Sequence, residues 1–207
     1  KVAITLAGEG SLSGWAFVIA ARQTSVHGFH IRCTQSSSGI YVGDGDNIDS
    51  DTTDQNASNC RVYGNLIEGE AFSGKWAVAS IGNWSLNIHD NTFYQMLSGG
   101  VIVGSGTRVN VNNRIWSNYF NAVRGFGVNA KTGWSVNDLV VGPFNTFNDD
   151  ITTAMTRSCN FGATGGRKSF VGNYDNTTNG ALGQSTDKMC GNYEAAGMNA
   201  PIYVTED

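Results

Sequence analysis

A short tag recurs along this chain at nearly constant spacing: a polar residue, an aliphatic one, then usually Asn. It appears as Ser25-Val26-His27, Arg61-Val62-Tyr63, Ser85-Leu86-Asn87, Arg108-Val109-Asn110, Ser135-Val136-Asn137 and Ser158-Cys159-Asn160. With Val2 and Leu182 at the ends, its aliphatic member falls at 2, 26, 62, 86, 109, 136, 159 and 182, in steps of 24, 36, 24, 23, 27, 23 and 23. Self-similarity at a fixed period of this size is the signature of a solenoid, propeller or repeat array.

Two further tags run in phase with the first. Asn followed one residue later by an aromatic or aliphatic residue occurs at Asn65, Asn91, Asn118 and Asn145, in steps of 26, 27 and 27. The strand-like runs Trp15-Ala16-Phe17-Val18, Gly39-Ile40-Tyr41-Val42, Trp76-Ala77-Val78, Gly100-Val101-Ile102-Val103 and Gly125-Phe126-Gly127-Val128 form the third. Each unit therefore holds three short β-runs separated by Gly, Asn, Ser and Asp, the residues that supply turns and positive φ. Alternation in Leu86-Asn87-Ile88 and Val109-Asn110-Val111 is the period-2 mark of a strand with one face in a core. Amphipathic helical stretches are missing. A leucine-rich repeat would repeat L-x-x-L-x-L, and a propeller blade needs a period of about 40 to 50.

The expected fold is all-β: a single-stranded, right-handed parallel β-helix with coils of about 23 to 27 residues. Residues 1–160 are expected to form the coils, with an acidic insertion at 43–59, and 161–207 the irregular final coils and a cap or tail. Stacking puts like residues one rung apart, about 4.8 Å, where Asn side chains satisfy one another's amides.

Composition narrows the partners. The 207 residues carry 13 Lys and Arg against 17 Asp and Glu, and the basic residues are scattered without a run, so no nucleic-acid partner is expected. No stretch approaches 18 consecutive apolar residues, so no membrane insertion is expected. The start at Lys1, inside a strand-like run, reads as a piece of a longer protein. Cys33, Cys60, Cys159 and Cys190 lack zinc-site spacing, and four buried thiols or a Cys33–Cys60 disulfide are the two readings.

The Asn turns at Asn91, Asn118 and Asn145 and the Gly-aliphatic strands after them resemble the right-handed β-helix superfamily of pectate lyases and phage tailspikes, over about residues 1–160. The polar, Asn-rich and Gly-rich coils look more like the tailspike branch. That resemblance implies a homotrimer on a virion tail or another extracellular surface, binding or hydrolysing a bacterial cell-surface polysaccharide.

Within that frame, Glu68, Glu70 and Asp90 are the candidate hydrolytic acids, since glycoside hydrolysis needs two carboxyls about 5 to 5.5 Å apart for retention or about 6.5 to 9.5 Å for inversion. Trp84, Trp134 and Tyr94 are the candidate sugar-binding residues. The two indoles share a coil phase when the Ser-aliphatic-Asn tags are aligned, on the turn from which the acidic insertion springs. Phase also stacks Glu68 on Tyr94, then Asn121, then Asn148. Lys75, His89, Tyr94 and Arg114 are the residue types a uronate lyase would need, though at differing phases. The five Asp between 44 and 54 offer oxygen ligands for calcium, but at positions that do not match an EF-hand. No cofactor or resident metal is expected, and no G-x-S-x-G, H-E-x-x-H or phosphate-binding glycine loop is present. The competing reading is a structural or adhesive fibre segment in which the same residues only stabilise coils.

Overall fold

The computed structural model describes residues 3–6, 14–34, 37–43, 57–104, 109–130, 133, 135–149, 154–163, 165–182, 188–190 and 193–194. Among these the protein is a parallel β-solenoid without α-helices. One coil shows the plan: Trp76–Ile81 lies in sheet B, Asn87–His89 in sheet C and Thr92–Tyr94 in sheet A. Sheet A has eight strands, from Ala3–Leu6 to Tyr193–Glu194, and sheets B and C seven each. Each strand pairs in parallel with the equivalent strand of the coils before and after. Beyond residue 160, Lys168–Val171, Tyr174–Asn176 and Lys188–Cys190 continue the same sheets.

The core is a set of columns along the solenoid axis. Sheet B contributes Phe17, Ile40, Val78, Val101, Val128 and Cys159 in one register, the first five of them from the runs of the third sequence tag. Sheet A contributes Ile31, Ile67, Phe93, Phe120 and Phe147. The Phe93, Phe120 and Phe147 rings follow one another at centroid distances of 4.9 and 4.5 Å. Pairs of this kind contribute about 0.5–1.5 kcal/mol beyond area burial. Opposite them sit glycines: a Cβ on Gly100 would come within 2.5 Å of the Phe120 ring and one on Gly127 within 2.6 Å of the Phe147 ring. In the next coil the sheet A position passes to Asp175, and Phe170 supplies the ring from sheet C, 5.6 Å from Phe147.

The second tag marks a continuous buried ladder. Asn65 Nδ2 donates to Asn91 Oδ1 (3.0 Å), Asn91 to Asn118 (3.0 Å), Asn118 to Asn145 (3.1 Å) and Asn145 to Asn173 (2.9 Å). Each acceptor oxygen also takes the backbone N–H of the preceding Asn. Each Nδ2 further donates to a sheet C carbonyl, of Val26, Val62, Ile88, Ile115 and Val141 in turn. These bonds satisfy amides that would otherwise be costly to bury. The residue before each Asn turns the chain with positive φ, and Gly64, Asp90, Ser117, Phe144 and Gly172 fill that position.

The first tag misplaced its register. Val26 pairs with Val62 as expected, but Val62 pairs with Ile88 rather than Leu86, and the column runs on through Ile115, Val141 and Phe170. Val136 lies in a short ladder with Asn110 at the corner between sheets B and C, and Cys159 belongs to sheet B. Leu86 and Ile88 are two residues apart and both buried. A slip of one residue would have turned the strand inside out, whereas a slip of two leaves the apolar pattern intact. Cys33 and Cys60 are free thiols, so the disulfide reading does not hold.

Candidate functional site on the lateral faces

A strand of three or four residues has one or two side chains pointing outward, and stacking turns them into columns. On sheet A one outward column is His30, Leu66, Thr92, Tyr119, Thr146 and Tyr174. The other is Arg32, Glu68, Tyr94, Asn121, Asn148 and Asn176, which reproduces the stacking order expected for Glu68. The outside of sheet B is different, because Tyr41, Ala79 and Ile81 are buried there in a second apolar cluster with Trp15 and Ile102.

The candidate acids are held by bases. Glu68 Oε1 lies 2.8 Å from Arg32 Nε and 3.3 Å from His30 Nε2, and Glu70 Oε1 lies 3.5 Å from Arg32 Nη2. The short distances coexist with two nitrogens, His30 Nε2 and Arg32 Nε, that find no hydrogen-bond partner. The Arg32 Nε–H therefore misses Glu68, and that contact is Coulombic rather than a well-aligned hydrogen bond. Such half-exposed pairs contribute about 0–1 kcal/mol. Asp90 sits elsewhere. It occupies the turn after Asn87–His89, its Oδ2 is 2.8 Å from His89 Nδ1, and a strand separates it from the Glu68 column, roughly 10 Å along the chain. Glu68 and Glu70 thus share one arginine, and Asp90 does not join them.

Among the aromatic candidates, Tyr94 lies between Glu68 and Asn121 on sheet A. Trp84 is 46% exposed at the corner between sheets B and C, and its carbonyl accepts the Asn59 N–H at the close of the insertion. Trp84 pairs with Val111, and Val111 with Asn137, so the register puts Asn137 in line with Trp84. Trp134 and the Asp-rich segment 44–54 lie outside the described residues. The lyase-type residues are dispersed: Lys75 precedes sheet B, His89 and Arg114 are on sheet C and Tyr94 is on sheet A.

Several outward residues escaped sequence reasoning. Tyr119 is 40% exposed, and its hydroxyl accepts from Asn148 Nδ2 at 2.9 Å. Asn148 in turn accepts from Asn176 Nδ2 at 3.3 Å. Tyr119 is thus an aromatic platform pinned by its own coil stack, with Tyr174 two rungs further along the column. The signal was the residue between each ladder Asn and its apolar partner, which always faces out. On sheet C, His27, Tyr63, His89 and Trp116 form an outward stack with centroid distances of 4.6, 5.1 and 4.4 Å.

Three buried groups are perturbed. Desolvation pushes the Cys33 thiol up to about 12 and raises Cys60. Desolvation also raises the Asp175 carboxyl, against hydrogen bonds from Ser158 and Thr177 that lower it. All three lie inside the coil, away from the outward columns.

Fold and faces define a class, the parallel β-solenoid with in-register lateral ladders. No family model, curated protein or solved structure matches the chain.

Proposed function

We propose that the protein is a tailspike-like β-solenoid that binds a bacterial cell-surface polysaccharide along the outer face of sheet A. The observation that carries this reading is Tyr119, a half-exposed ring fixed through Asn148 to Asn176, in a face that also holds Tyr94, Glu68 and Tyr174. Rigid aromatic surface beside amides and carboxylates covers the apolar faces of sugars while pairing their hydroxyls. A polymer suits it, because both partners repeat along one axis. In this reading the chain works as a homotrimer on a virion tail or another extracellular surface, with Trp84, at the neighbouring corner, and Trp134 as further sugar contacts.

Hydrolysis is the added step, with Glu68 and Glu70 as its acids and Asp90 as a third. The shared Arg32 weighs against it, since each carboxylate must leave an ion pair before exchanging a proton with a sugar. The same ion pairs favour the competing structural reading, in which these residues hold coils together. Binding to a panel of capsular and O-antigen polysaccharides tests the proposal. At least one glycan is expected to bind, and Tyr119→Ala to weaken it by up to about ten-fold, the worth of one stacked ring. Oligosaccharide release that Glu68→Gln abolishes without loss of binding would establish hydrolysis. A panel with no bound glycan would leave only the structural reading.

A further inference from the structure

Sheet C carries a second lateral feature, different in chemistry from sheet A. One outward column runs Ser25, Arg61, Asn87, Arg114, Val140 and Ser169, and beside its first four members lie the stacked rings of His27, Tyr63, His89 and Trp116. The faces of Tyr63 and His89 are covered on both sides by neighbouring rings, so these two cannot act as platforms for a sugar. They offer edges instead. The backbone beneath is fixed from inside, because Asn91 Nδ2 donates to the His89 carbonyl and Asn118 Nδ2 to that of Trp116, both at 2.9 Å. A row held this way is preorganised, as recognition requires.

The charges beside that row lack partners. Arg61 and Arg114 are exposed, and among the described residues neither forms an ion pair; the pairs present involve His30, Arg32 and His89. Asp90 is bound to His89, and Asp138, on the turn before Leu139–Val141, lies beyond ion-pair distance of both arginines. Arg61 and Arg114 are separated by the single coil of Asn87, so their Cα positions are two rungs apart, roughly 9–10 Å. That interval matches the disaccharide repeat of an extended polysaccharide. A chain with one anionic group on every second sugar would meet a guanidinium at two successive charges and the edges of Tyr63, Asn87 and His89 between them.

The geometry points to a binding strip on the outer face of sheet C for a linear acidic polysaccharide bearing one carboxylate or sulfate per disaccharide, aligned with the solenoid axis. This extends the glycan reading to a second face and adds the charge of the ligand, which sheet A does not specify. The test uses the full chain and measures binding of a hyaluronate decasaccharide, its carboxyl-reduced neutral counterpart and polyuridylate at several salt concentrations. Hyaluronate is expected to bind with an affinity that falls as salt rises, and the neutral counterpart at least ten-fold more weakly. The double substitution Arg61→Gln and Arg114→Gln, both at exposed positions, should remove that preference, while the control substitution Arg124→Gln, on the exposed turn between sheets A and B, leaves it unchanged. Equal binding of the neutral chain, equal binding of polyuridylate, or an unaffected double variant would each overturn the strip. Because Tyr119 reports on sheet A and the arginines on sheet C, failure of the strip is distinguishable from failure of the sheet A proposal.

Discussion

Asn118 sits in the middle of the buried ladder, and replacing it with Ala removes one rung without touching the outer faces. Its Nδ2 donates to Ile88 O (2.9 Å), Trp116 O (2.9 Å) and Asn145 Oδ1 (3.1 Å), and its Oδ1 accepts both the backbone and side-chain N–H of Asn91 at 3.0 Å. Some of these groups keep partners after truncation. Asn145 Oδ1 still accepts the backbone N–H of residue 118, and Asn91 Nδ2 still donates to Val62 O and His89 O. The Asn91 backbone N–H does not, and an orphaned buried donor costs about 1–3 kcal/mol, with roughly 0.5–1.5 kcal/mol for each further bond lost. The expected loss is therefore at least about 3 kcal/mol, a large share of a domain stability of about 5–15 kcal/mol. Asn121 is the matched control, three residues on and facing outward on sheet A, where Ala should change stability by no more than about 0.5 kcal/mol. Urea unfolding followed by far-UV circular dichroism reads the difference as a shift in midpoint at constant slope. If Asn118→Ala proves as mild as Asn121→Ala, the ladder does not stabilise the solenoid and the argument built on it fails.

Two further outcomes follow from the buried titratable groups. Asp175, raised by desolvation, binds its proton more tightly folded than unfolded, so its contribution is greatest below the ordinary carboxylate range and is lost as pH rises through the raised folded value. Asp175→Asn keeps acceptors for Thr177 and offers Ser158 a donor, so it should be more stable than the parent at neutral pH and converge with it in acid; a variant less stable at pH 7 would refute this. Cys33, pushed up to about 12, should resist alkylation at pH 8 in the native state and react at an ordinary thiol rate once unfolded, and rapid native labelling at Cys33 by peptide mapping would contradict its burial.

How far the sequence revealed the fold depended on whether a slip was detectable. The Asn tag was read correctly because an Asn one place out of register would bury its amide without partners, so the ladder tolerates no ambiguity. The aliphatic tag failed between Val62 and Leu86 because Leu86 and Ile88 satisfy the same inward pattern. Asp175 in a column of phenyl rings was illegible, since its compensation, Phe170, comes from a different sheet. At the candidate site the Glu68–Tyr94–Asn121 order followed from the Asn phase, but Arg32 did not. Arg32 lies across the long insertion, where the spacing is 36 rather than 26 or 27 and inspection of neighbouring coils does not reach. The stack from His27 to Trp116 mixes three residue types, and no single letter repeats to announce it.

The ladder also has a direction. Each amide donates forward to the next Asn oxygen, Asn65 to Asn91 and onward to Asn173, and also back to a sheet C carbonyl of the coil before it. A coil ending in Asn91 therefore holds a buried N–H and part of a side-chain amide unanswered until some 27 more residues have emerged and wound on top, bringing the Asn118 oxygen. Each turn of the spring is therefore chemically incomplete until its successor is stacked upon it.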